Sequence, residues 1–369
     1  MIFTSILILI VAKALPSINK NLSPIYFTRI SAIIFLYAGV LSLNTLYIQS
    51  IGSGIGIYSG LFQITQVSIL IEIFLLLIGS LILIAVTGPS INQFITSRNN
   101  FNNFINSKTT SLNSLIKHSK DYSLIVLFSS LGSCLLISSF DLISLYISIE
   151  LQSFGVYILS TLYRDSESST KAGLKYFLLG ALSSSIILLG CGIIYSYTGL
   201  TNFESIYSVI STSNSVIYLD LSNTSLSLNY IVQGLSLGLM LIVIGFLFKI
   251  AAAPLHNWSP DVYDEVPTVV TIWLTIMPKI SILILLLELQ YYGFTLVTSL
   301  TEMELNTSIS NIFNMVSSDS TSGLYAANGT IADSSNSILK NLLLISSLLS
   351  LIIGTVVGLA QSRIKRLLA

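Results

Sequence analysis

Long unbroken apolar runs dominate this chain. They cover about 1–14, 26–46, 64–86, 122–139, 142–163, 172–198, 230–254, 267–289 and 338–361. Most approach the roughly 20 residues that cross a bilayer core at about 1.5 Å per residue, and the first is the shortest. The runs lack the apolar–polar alternation of a barrel strand. Lipid also offers backbone amides no partner, so each run must satisfy its own hydrogen bonds as a helix. Ser/Asn-rich connectors at 92–120, 201–227 and 298–337 separate them and carry no catalytic spacing. The expected fold is therefore an all-α polytopic membrane protein with about nine transmembrane helices, the seventh of them discontinuous.

Loop charges support that count. Cations gather in the odd-numbered loops: Lys13 and Lys20, then Arg98, Lys108, Lys117 and Lys120, then Arg164 and Lys171, then Arg363, Lys365 and Arg366. Arg29 and Lys175 lie at helix ends on the same side, and Lys340 is the exception. Nine spans place nearly every loop cation on one face, as the positive-inside rule requires, and put Met1 on the outer side. Met1–Ala14 has neither a basic leader nor a small-residue cleavage site, so it is expected to be retained.

Composition narrows the class further. Hydrophobic residues make up 53% of the 369 and charged ones 9%, against about a quarter charged in soluble domains. Mean hydropathy is +0.85 and formal net charge is zero, so lipid is the solvent and nucleic acid is not a partner. Cys134 and Cys191 sit in apolar runs and read as buried free thiols. Abundant Leu, Ile, Ser and Asn with little Ala suggests an AT-rich organellar gene.

Three charges interrupt the apolar runs. An ionisable group within a span costs a few kcal/mol or more, so it usually faces protein and marks an ion or proton path. Glu150 lies nine residues past Asp141, the expected N-cap of the fifth stretch, and so about 13 Å into the membrane. It is either a proton-path carboxylate or a structural one bonded to a neighbour such as Tyr146 or Ser153. Lys249 precedes Pro254, which removes one amide and frees the carbonyl of Ile250, so the seventh helix should break just past the lysine. Lys279 follows Pro278 in mid-helix, where the carbonyl of Leu274 is likewise freed. Each lysine either exchanges protons or holds a structural ion pair, and Lys249 could also snorkel if its span ends at Pro254.

His256, beside the break, reads equally as a proton relay and as a structural donor. His118 has no assigned role. Glu288 should reach the interface from a helix end, and Glu72, in the body of the third stretch, stays unexplained. With no cluster at metal spacing, no phosphate loop and no nucleophile triad, redox cofactors are not expected in this chain.

Long motifs carry a resemblance. Asp141-Leu-Ile-Ser-Leu-Tyr-Ile-Ser-Ile-Glu150-Leu-Gln-Ser-Phe-Gly, Phe248-Lys249-Ile-Ala-Ala-Ala-Pro254-Leu-His256-Asn-Trp-Ser-Pro260-Asp-Val-Tyr and Gln361-Ser-Arg-Ile-Lys365-Arg-Leu-Leu-Ala resemble NADH dehydrogenase subunit 2. This is the subunit N type of antiporter-like family in respiratory complex I, here in a fungal mitochondrial form.

The resemblance implies a fourteen-helix fold with two inverted five-helix repeats. Residues 1–120 would hold the N-terminal helices, 121–290 the first repeat, 291–337 a polar loop and 338–369 the start of the second repeat. It also implies proton translocation through Glu150, Lys249 and Lys279, with Lys175 matching a less uniform family lysine. Glu150 and Lys249 would pair and part as the lysine takes up and releases its proton. FMN, iron–sulfur clusters and ubiquinone would be held by other subunits, and the partners would be neighbouring membrane-arm subunits and lipids of the mitochondrial inner membrane. The rest of the second repeat is missing from this sequence, which fits a fragment or a shortened product. Two other classes share the motifs: an independent multisubunit cation/proton antiporter, and a structural subunit without a complete proton path.

Overall fold

A computed structural model describes residues 1–15, 24–47, 54–86, 119–164, 166–206, 208, 225–289 and 338–368. The connectors around 92–118 and 298–337, with Lys20, Arg98, Lys108, Lys117 and His118, lie outside the described residues. The described chain is mostly helical. The helices are α1 (Ile2–Ala14), α2 (Pro24–Thr45), α3 (Gln66–Val86), α4 (Ser119–Ile137), α5 (Leu142–Ser160) and α6 (Glu167–Thr198). Then come α7 (Ser225–Ile250), a short α8 (Ser259–Glu265), α9 (Thr268–Leu289), α10 (Ile338–Leu359) and a short α11 (Ile364–Leu368). Among the described residues, six helices are long and apolar enough to cross a membrane: α2, α3, α5, α6, α9 and α10. The apolar parts of α1, α4 and α7 are shorter.

The helices bury an unusual face. Outward-facing residues on α5 are Ile143, Ile147, Phe154 and Ile158, while the buried ones include Ser144, Ser148, Gln152 and Ser160. Lipid solvates the apolar stripe, so the hydrophobic effect cannot hold the bundle. Close packing does so instead. Buried serines return their hydroxyl protons to their own helix: Ser148 donates to the Ser144 carbonyl at 2.7 Å and Ser160 to that of Tyr157 at 2.7 Å. Small residues also let backbones approach. A Cβ on Gly132 would stand 2.6 Å from the Gln152 nitrogen, so α4 and α5 touch there through main chain.

Two features escape periodicity. The first is a hairpin, with β1 (Ile55–Ile57) antiparallel to β2 (Phe62–Ile64) and Ile55 opposite Ile64. Tyr58, Ser59 and Gly60 all take positive φ in its turn. Its edge docks on the α4–α5 corner, where Gln63 N donates to the Ser138 carbonyl at 2.8 Å and Phe140 N to that of Leu61 at 3.0 Å. The corner also holds the N-cap of α5: Ile143 N donates to Asp141 Oδ1 at 2.8 Å, and the Thr201 hydroxyl to Oδ2 at 2.9 Å.

The second feature is the end of α7. Ala252 N donates to the Leu247 carbonyl at 3.0 Å and Ala251 N to that of Phe248 at 3.1 Å. Ala251 stands at φ 65. This pair of bonds around a left-handed residue is a Schellman motif, normally built on glycine. The helix therefore stops four residues short of Pro254, and the chain turns into α8.

Candidate functional site

The elbow between α7 and α8 places Lys249 in the last turn of α7, where the helix dipole favours a cation. Lys249 Nζ lies 3.3 Å from Glu150 Oε1, with side chains 7% and 16% exposed. The two residues expected to carry a proton path are thus one buried ion pair, joined across 99 positions of sequence. Ser153 does not bond the Glu150 carboxylate: its hydroxyl donates to the Glu150 backbone carbonyl at 3.1 Å. Nor does Lys249 snorkel, since its ammonium is buried against Glu150.

A cavity of about 20 Å³ adjoins Lys249, walled in part by Gln152, Tyr157, Ser183, Trp258 and Pro278. That is room for one water molecule, which needs about 10–15 Å³. Beside it, Gln152 Nε2 lies 2.8 Å from Ser281 Oγ and ties α5 to α9. An aromatic row continues the wall. Tyr157 packs edge-on to Tyr176 at 4.8 Å, Tyr176 stacks on Trp258 at 4.8 Å, and Trp258 meets Tyr263 at 6.0 Å. At its far end Lys279 Nζ lies 5.2 Å from the Tyr263 ring centre, a cation–π contact. The Trp258 indole N–H donates to the Phe248 carbonyl at 3.0 Å, beside Lys249.

The remaining predicted residues stand apart from the pair. Lys175 on α6 bonds Asp261 on α8. Asp261 also pairs with Arg366 at 3.3 Å, and Asp264 with Arg363 at 2.6 Å, so the basic α11 segment clasps α8. His256 is half-buried, and its Nδ1 has no hydrogen-bond partner among the described residues. Among those residues no group of three or more His, Cys, Asp or Glu could hold a metal, and both cysteines are free. The sequence reading missed Gln152, Tyr157, Trp258, Asp261 and Ser281. Trp258 and Asp261 lie inside the motif around Pro254, so their signal was proximity to the break. Gln152 lies inside the motif around Glu150, two residues past it, and Tyr157 and Ser281 have none.

Comparison with known proteins sets this geometry in context. Residues 139–301 and 298–369 match the transmembrane family of NADH:quinone oxidoreductase/Mrp antiporter subunits. The chain belongs to that family. The match takes in α5, α7, α9 and the whole elbow, and so both members of the buried pair. Among its relatives, NADH-ubiquinone oxidoreductase chain 2 of Rhizopus oryzae is 45% identical over 369 residues, covering 100% of this chain and 59% of that protein. The Arabidopsis thaliana protein of the same name is 33% identical over 249 residues, covering 68% and 40%. This chain thus spans well under two thirds of the length of these relatives. A chain of respiratory complex I from Thermus thermophilus shares the fold at TM-score 0.60 and 21% identity, over 100% of this chain and 60% of that one. A chain of the Mrp complex from a Dietzia species shares it at 0.52 and 16%, over 78% and 47%.

Proposed function

We propose that this chain works in the proton-translocating membrane arm of mitochondrial NADH:ubiquinone oxidoreductase. The observation that carries the reading is the buried Glu150–Lys249 pair at the end of a broken helix. A buried pair is weak evidence for stability, because desolvation offsets attraction, but it suits a group that must gain and lose charge. Glu150 and Lys249 close on each other when the lysine is protonated and separate when it releases its proton. The neighbouring cavity, sized for one water, offers a way from Lys249 past Pro278 toward Lys279. Lys279 passes the proton on, Lys175 and His256 serve at the margins, and quinone reduction elsewhere in the complex supplies the driving force. Flavin, iron–sulfur clusters and ubiquinone belong to other subunits, and neighbouring antiporter-like subunits and lipid surround the chain.

In the same reading nine helices span the inner membrane, α7 and α8 form one broken span, and Met1 faces the intermembrane space. Residues 121–290 form the first of two inverted repeats, and 338–369 open the second. Cysteines placed at Asn223 and Ser318, outside the described residues, should react with impermeant reagents from the intermembrane-space side only. Reaction from the matrix side alone would sink the topology.

The functional test is Lys249→Met in the assembled complex. NADH-driven proton uptake per assembled complex should fall severalfold. Unchanged uptake would leave a structural membrane-arm subunit, and purification without flavin and iron–sulfur subunits would point to an independent antiporter.

A further inference from the structure

α8 is too short to hold itself in place. Its seven residues make about two turns, no side chain caps its N-terminus, and isolated helices of that length are marginal. Its position is therefore set by what it touches. Helical spacing divides it into two faces. Trp258, Val262, Tyr263 and Val266 are buried on the inner face, and Asp261 and Asp264 lie on the opposite one.

The inner face reaches the surroundings of both lysines of the site. Trp258 gives its indole proton to the Phe248 carbonyl at 3.0 Å, next to Lys249, and the Tyr263 ring centre lies 5.2 Å from Lys279 Nζ. The outer face is held by α11 and its flank. Arg363 lies 2.6 Å from Asp264, and Lys365 donates to the Val266 carbonyl at 3.1 Å. Arg366 lies 3.3 Å from Asp261, which Lys175 of α6 shares, and 3.2 Å from Asp264. Single exposed ion pairs contribute little, but here several charges close on one short helix as a network. Among the described residues Arg366 is its hub, because it reaches both carboxylates of α8.

We propose that α11 clamps α8 and so fixes the surroundings of Lys249 and Lys279, with Arg366 and Asp264 as positioning residues for proton transfer. This rests on the proton-path reading above and adds to it a control point outside the buried pair. Loosening the clamp lets α8 shift, and Trp258 and Tyr263 move with it.

Two readouts in membranes holding the assembled complex test the clamp: amide exchange of α8 and NADH-driven proton uptake per assembled complex. The amides of Val262 and Val266 bond the Trp258 and Val262 carbonyls at 3.1 Å each. Arg366→Gln should speed their exchange at least tenfold and lower proton uptake at least twofold. Arg366→Lys keeps the charge and should restore most of both. Lys171→Gln breaks an exposed ion pair with Glu167 that does not include α8, and should change neither. Unaltered exchange in Arg366→Gln, or a lower assembly level with unaltered uptake per complex, would overturn the proposal. Lys249→Met separates the two possible failures. If it lowers uptake and Arg366→Gln does not, the clamp falls alone; if it leaves uptake unchanged, the proton-path reading falls and the clamp with it. Should Arg366→Gln fail to assemble, Arg363→Gln decides by the same two readouts, with exchange at least threefold faster and a measurable loss of uptake.

Discussion

α7 and α9 each carry a lysine close to a proline, yet α7 ends while α9 runs on. Pro278 lies inside α9, with Leu274, Met277 and Ile282 buried around it. The Ser281 hydroxyl donates to the Pro278 carbonyl at 3.0 Å, and Gln152 braces Ser281 from α5. Pro254 lies beyond the end of α7, where Ala251 N–H and the Trp258 indole both donate to the Phe248 carbonyl and Ala252 N–H donates to that of Leu247. Proline permits a break at both places. The helix stops where the backbone turns left-handed, at Ala251, and runs on where it keeps helical dihedrals, past Pro278. The lysines differ in the same sense: Lys249 meets a carboxylate, and Lys279 meets the face of an aromatic ring.

The contrast is tested most strongly at the carboxylate. Removing one partner of a buried pair strands the other, typically at a cost of about 3–5 kcal/mol. Glu150→Gln should therefore lower assembly and abolish most quinone-linked proton uptake, and Glu150→Asp should be milder because the charge remains. Combined with Lys249→Met, Glu150→Gln should damage assembly less than the two single effects summed, since no lone charge stays buried. Strictly additive assembly defects with normal uptake in Glu150→Gln would show the two side chains to be uncoupled. Among the described residues Lys279 pairs with no carboxylate, so Glu150 variants should leave its surroundings intact.

At Lys279 the corresponding change is smaller. A cation–π contact contributes about 0.5–2 kcal/mol. Tyr263→Phe keeps the ring face and should leave proton uptake near normal. Tyr263→Leu removes the face, and the assembled complex should dissociate at lower temperature with slower uptake. Equal behaviour of the two variants would mean that Lys279 does not use the ring.

Much of this was legible before any coordinates. Apolar run length placed the bodies of α2, α3, α5, α6, α9 and α10 to within a few residues, because the lipid-facing surface must be apolar over the thickness of the bilayer. Asp141 was readable as a cap, and Glu150 and Lys249 stood out because charge in such runs is costly. The place of the break, just past Lys249, was readable from Pro254, but the device that ends the helix was not. A Schellman end announces itself by glycine, and here alanine takes the left-handed position, so Pro254 was the visible marker. The hairpin was hidden because its three-residue strands lie below any periodic signal. The Gln152–Ser281 link was hidden because it joins positions 129 apart in sequence through uncharged groups.

Trp258 should matter about as much as one hydrogen bond. Trp258→Phe keeps an aromatic surface against Tyr176 but loses the indole donor to Phe248, at about 0.5–1.5 kcal/mol. Pro254→Ala is its control. If the α7 end is held by Ala251 and Trp258, restoring an amide at position 254 should not extend the helix past Ile250. Amide exchange of Ala253 in the assembled complex would read this, since Ala251 and Ala252 are already bonded, and helix-like protection there in Pro254→Ala would return the decisive role to proline.

The smallest predicted effect has the opposite sign. An L-residue in the left-handed region costs about 1–2 kcal/mol relative to its relaxed backbone, and glycine avoids that cost. Ala251→Gly also frees the unfolded backbone, which subtracts about 0.4–1 kcal/mol from the gain. The net expectation is a stabilisation of about 0–1.6 kcal/mol, seen as a slightly higher dissociation temperature of the complex. Ala251→Val points the other way, because a β-branched side chain is a poor fit at φ 65. It should loosen the elbow, shift Lys249 relative to Glu150 and slow proton uptake. The equivalent pair of changes at Thr275 in α9, which lies in regular helix, should reverse the order, with glycine worse than valine. Glycine worse than alanine at position 251 would show that the left-handed turn does not set the end of α7.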